Sequence, residues 1–137
     1  MSKLIGALLV VAVLSSVALA QVTPVQVQVK ISPDTLNLKS NGKWITCIIT
    51  LPEGYNAANA NIASMRLAGT LTVQKVAAQK RVLIVKASHA QVVSYINGLG
   101  LTFPAQVTLS VTGTFNDSTP FQGQGTIRAI KPGGKKK

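Results

Sequence analysis

Acidic residues are nearly missing from this chain. Three Asp and Glu stand against fourteen Lys and Arg over 137 residues, a formal charge of +11 at pH 7. Cysteine and histidine occur once each, and aromatic residues make up 4%. Each shortage excludes something. A single cysteine closes no intramolecular disulfide. Three acids, one His and one Cys leave few ways to build a metal site or a pair of catalytic carboxylates. No G-x-S-x-G elbow is present and no carboxylate lies near His89 in sequence, so a nucleophilic hydrolase has no footing. His89 is expected at the surface or as a capping residue, beside Ser88 at the first turn of a short helix. A calcium site wants several converging oxygens, and Asp34, Glu53 and Asp117 are scattered among turns. The expectation is a chain that is not an enzyme and holds no metal or cofactor.

Long apolar runs are also missing after residue 20. None reaches the roughly 18 residues that a membrane-spanning helix needs. The one apolar run is at the start, where a lysine at position 3 precedes residues 4–14, and Ala18-Leu19-Ala20 supplies a small-x-small ending. That order predicts a secretory signal peptide over residues 1–20, cleaved after Ala20. The mature chain is then exported, secreted or at the cell surface, with no transmembrane segment. Cys47 shares its parity with Ile45, Ile49 and Leu51 and is expected to be a buried, inert thiol rather than a nucleophile.

What the chain has in abundance is period two. Val25, Val27, Val29 and Ile31 alternate with Gln26, Gln28 and Lys30, which predicts a half-buried strand. Residues 36–38 make a brief extended piece, and residues 44–51 a second strong strand stopped by Pro52-Glu53-Gly54. Residues 55–62 read as an irregular crossing loop. Short strands are expected over residues 64–67 and 71–76. Residues 81–86 are apolar on both parities, the pattern of a central strand covered on both faces. The one helical stretch is residues 88–96, capped by Ser88 and stopped by Asn97-Gly98. Val107, Leu109, Val111 and Phe115 then face inward, as do Phe121, Ile127 and Ala129, with residues 116–120 a hairpin loop. Turns at about every 8–12 residues predict an all-β, immunoglobulin-like antiparallel β-sandwich of about seven strands with one short helix. It would occupy residues 21–130, followed by a flexible basic tail over residues 131–137.

Lysines are spread along the strands, where they also discourage edge-to-edge pairing. Solvated charge is the plain reading. The other is a contact for an anionic polymer or glycan, with Lys131, Lys135, Lys136 and Lys137 as candidates. No aromatic ladder accompanies the lysines and the chain is expected to be exported, which disfavours nucleic acid as a partner. Asn116-Asp117-Ser118 fits the N-x-[ST] sequon in an expected surface loop, making Asn116 a candidate glycosylation site.

Residues 29–55 carry the pattern I-x-P-x-T-L-N-L-K-S-x-G-K-W followed by L-P-E-G-Y. This resembles a module recurring in exported archaeal and bacterial proteins, and residues 111–128 look like the final hairpin of the same module. The resemblance implies a secreted β-sandwich accessory module with no enzymatic activity attached to it. This copy departs in being acid-poor: Asn56, Asn59, Asn61, Ser118 and Gln122 stand where the pattern carries acids, which argues against an ion-binding role.

Two functions follow as expectations. One is structural: a subunit or adhesive module of an extracellular matrix or filament, self-associating by β-strand addition through residues 21–29, with Val25, Val27 and Val29 as the contacts. The plainer reading of that segment is the domain's own first strand. The other is a cell-surface binding module for a polyanion or glycan, using the basic residues.

Overall fold

β-branched residues on alternating positions set the architecture. The computed structural model describes residues 23–132. The expected signal peptide over residues 1–20 and the tail lysines Lys135, Lys136 and Lys137 lie outside the described residues. Two sheets pack face to face as the expected all-β sandwich. The first orders β1 (Val25–Gln26), β9 (Pro120–Ile130), β8 (Ala105–Phe115) and β5 (Ala60–Leu67), with β3 (Thr35–Asn37) also on β9. The second orders β2 (Gln28–Ser32), β4 (Trp44–Thr50), β7 (Val82–Ser88) and β6 (Gln74–Gln79). Pairing is antiparallel except for the short β1 and β3, which run parallel to β9.

The core lies where the inward parities meet. Ile31, Ile45, Cys47, Ile49, Leu83 and Val85 of the second sheet are buried, as are Met65, Leu109, Val111, Phe121 and Ile127 of the first. Burial pushes the Cys47 thiol up from 9.0 to about 11. Below pH 9 that thiol is protonated in both folded and unfolded chains and adds no pH dependence. Between 9 and 11 the unfolded chain ionises first, so stability falls as pH rises, by about 1.4 kcal/mol per unit. Denaturant unfolding over this range is expected to show that slope, and Cys47→Ala to remove it.

The first predicted strand is divided between the sheets. β1 joins β9, Val27 still donates its N–H to the Gln122 carbonyl at 2.9 Å, and β2 then pairs with β4. Glycine makes the crossing feasible. Gly123 and Gly125 lie on the inner side of β9, where a Cβ on Gly123 would collide with the Val27 carbonyl and one on Gly125 would lie 2.8 Å from Ile31 carbons. The long alternating run conceals this break because both halves bury the same parity.

Three other expectations are corrected. Residues 55–62 are not all loop: a 3₁₀ turn (Ala57–Asn59) leads into β5 at Ala60. Alanines fill the buried positions there, and small residues give a weak periodic signal. Leu71 makes only an isolated bridge to Leu67, and the strand expected over residues 71–76 instead begins at Gln74 as β6. β7 is central but covered on one face: Val82 is exposed and Ile84 half-buried on its outward side. Its second apolar parity reflects strand propensity rather than burial.

Helix α1 (His89–Asn97) follows β7. Ser88 Oγ accepts from the Gln91 N–H at 3.2 Å, and Val92 and Ile96 are buried. At its end the Gly98 N–H reaches the Ser94 and Tyr95 carbonyls, both at 3.1 Å.

Candidate functional site

Register decides which loops share an end of the sandwich. Trp44 lies opposite Ser88, Ser32 opposite Thr46, and β3 beside residues 128–130 of β9. The loop after β3, helix α1 and the end of β9 therefore gather at one end, here the helical end. Thr50 lies opposite Val82 and Gln28, and Thr114 opposite Pro120. That places residues 52–59, the Lys80-Arg81 turn and the β8–β9 hairpin at the other, the hairpin end.

Charge is divided unevenly between them. Among the described residues, Lys39, Lys43, Lys86, Arg128 and Lys131 belong to the helical end, with Asp34 as its one acid. At the hairpin end Lys80 and Arg81 are matched by Glu53 and Asp117, while Lys30, Arg66 and Lys75 lie along the strands between the two ends. The cations of the helical end are also positioned. Trp44 opens β4 on the outer face of the second sheet, half-buried, and the Lys86 Nζ lies 4.1 Å from its ring centroid. The Lys43 Nζ is 5.9 Å from the same centroid. Attraction of this kind is worth about 0.5–1 kcal/mol at an exposed ring, enough to bias both ammonium groups towards the Trp44 face. Outward-facing Ile48 and Ile84 continue this face as a half-buried apolar strip.

Lys131, the first residue of the expected tail, makes side-chain contacts to the domain. Its Nζ donates to Asn97 Oδ1 at 3.1 Å and lies 5.9 Å from the Phe103 ring centroid. Nothing in the sequence reveals the Trp44–Lys86 pairing, because it depends on the β4–β7 register. Only Lys43 is Trp44's neighbour along the chain.

His89 is buried, not at the surface, and its Nε2 is 3.2 Å from Ser40 Oγ. Ser40 Oγ also lies 2.7 Å from the Asn37 carbonyl, which can only accept its proton; with the proton in that shorter bond, His89 Nε2 meets the oxygen as an N–H donor. A hydroxyl whose proton points at a carbonyl is not activated by that histidine. Gly42 explains the burial: a Cβ there would lie 2.7 Å from His89 Cδ2, so the ring sits directly beneath the loop.

Val25, Val27 and Val29 are engaged within the chain. Val25 is in register with Phe121, Val27 is buried, and Val29 is in register with Ile49. Asn116 is exposed on the hairpin, its backbone N–H donating to the Asn59 carbonyl at 2.7 Å. Among the described residues no group of three His, Cys, Asp or Glu could hold a metal ion. No helix among them is long and apolar enough to cross a membrane. No protein-family model, curated protein or solved structure matches the chain.

Proposed function

We propose that this chain is an exported, non-enzymatic module that attaches to an anionic polymer or glycan at a cell surface through its helical end. The observation that carries the reading is the segregation of charge: five cations and one acid at one end, a balanced set at the other. In sequence, Lys135, Lys136 and Lys137 follow from that same end. The resemblance to secreted accessory modules supports export, and the committed proton of Ser40 supports the absence of catalysis.

Retention on a sulfated polysaccharide such as heparin, compared with neutral dextran, tests it. Binding is expected to weaken steeply with salt. Lys43→Gln and Lys86→Gln are each expected to cost about fivefold in affinity, the scale of one lysine at an anionic surface. Lys80→Gln, at the hairpin end, is expected to cost little. Equal losses from all three variants would mean diffuse net charge and end the proposal.

A second reading, the matrix or filament subunit, is favoured by one feature. β1 is held by a two-residue parallel pairing at a sheet edge, and the same segment from a second copy would find the same slot.

A further inference from the structure

At the hairpin end, away from Lys43, Lys86 and Lys131, three aromatic rings form a column that runs from core to surface. Phe121 is buried, with its ring over Gly113, where a Cβ would lie 2.7 Å from Phe121 Cζ. Phe115 packs on it with centroids 4.9 Å apart, and Tyr55 stacks on Phe115 at 5.3 Å and 19°. Phe115 covers one face of Tyr55, so the 38% of Tyr55 that is exposed belongs to its rim and other face. The ring is thus backed by Phe115 and presents its other face outward.

Polar groups converge beside it around an open depression of about 410 Å³. Asn56 Oδ1 accepts from the Ala58 N–H at 2.9 Å, which leaves its amino group uncommitted. The side-chain amides of Asn59 and Asn116 make no hydrogen bond to another described residue, and both line the depression. Asp117 Oδ1 accepts from the Thr119 N–H at 3.0 Å. Hydrogen bonds from the Thr119 backbone and side chain hold the exposed Asp117 carboxyl below its usual range, so the carboxylate is a charged acceptor at neutral pH.

We infer that this depression binds a neutral saccharide residue, whose C–H face rests on Tyr55 while its hydroxyls bond to Asn56, Asn59, Asn116 and Asp117. The chemistry selects this class. A phosphate or sulfate would meet the Asp117 carboxylate. A divalent cation would find one carboxylate where it needs several oxygens. A wholly apolar ligand would strand the amides, whereas a hydroxyl both donates and accepts and suits amide and carboxylate alike. The inference stands apart from the polyanion reading, since the residues are at opposite ends.

The test is an NMR titration of the ¹⁵N-labelled chain, made in a host without N-glycosylation, with methyl glycosides of glucose, mannose, galactose and N-acetylglucosamine and their short oligomers. Saturable shifts confined to residues 54–59 and 115–118 are expected with at least one sugar. Tyr55→Ala is expected to weaken binding about tenfold, Tyr55→Phe to retain most of it, and Asn59→Ala to weaken it severalfold. Lys43→Gln leaves it unchanged. The absence of saturable shifts across the panel, or an affinity unchanged by Tyr55→Ala, overturns the inference. The same chemistry could also come from a sugar attached at Asn116. Chain from a glycosylating host, compared with Asn116→Gln from that host, separates the sources: an attached sugar that fills the depression perturbs the residue 54–59 signals and blocks the free one.

Discussion

Replacing Gly123 by valine is expected to cost the domain more than about 3 kcal/mol, at or beyond the upper end for overpacked cores. The inner side of β9 at Gly123 is occupied by backbone: a Cβ would meet the Val27 carbonyl and lie 2.8–2.9 Å from methyl carbons of Val27 and Val29. A rotamer change could move a methyl but not a carbonyl, and Val27 is pinned by its hydrogen bond to Gln122. At about 4–8 °C per kcal/mol for a domain of this size, the thermal midpoint is expected to drop by more than about 10 °C. Gln124→Val, the outward neighbour on the same strand, is the control and is expected to stay within about 0.5 kcal/mol. Equal effects at the two positions would mean that β2 is not pressed against β9.

Deleting residues 21–29 is the second large effect. It removes β1 and leaves the slot over Gly123 open, with the burial of Val27 and the partial burial of Val25 and Val29 lost. Full burial of a valine is worth about 1.5–3 kcal/mol, so a combined loss of roughly 3–5 kcal/mol is expected. That is a large share of a typical domain's 5–15 kcal/mol. A synthetic peptide of residues 21–31 added in trans is expected to restore part of the denaturation midpoint. Restoration is also the condition for the filament reading, because strand exchange needs a slot that accepts the segment from outside. Fibres of the chain under negative stain, absent when the segment is deleted and the peptide supplied, would support that reading; monodisperse particles at high concentration would count against it.

Most of the sandwich was legible in the sequence because β8 and most of β9 alternate between apolar and polar residues, as a half-buried strand must, and β4 keeps one unbroken buried parity. Helix α1 was legible for a different reason, a serine cap followed by three apolar residues on one face. The division of the first strand was not, since Val25, Val27, Val29 and Ile31 keep one parity through the crossing and only the later glycines of β9 disclose it. His89 was misjudged because its burial comes from the loop bearing Gly42, distant in sequence. The candidate sites were legible only in part. Asn116 and the lysines could be named from the sequence. The gathering of cations at the helical end depends on register, and so does the stacking of Tyr55 on Phe115.

In the attachment proposed above, the unequal division of charge acts before any contact is made. A body whose cations crowd one extremity has an electric moment along its long axis, and near a negatively charged surface that moment exerts a torque. Such a molecule arrives already turned, helical end first, and the turning weakens as salt shortens the Debye length from about 10 Å at 0.1 M. A layer laid down this way is polar: every copy points its hairpin outward, and like-charged feet keep neighbours apart.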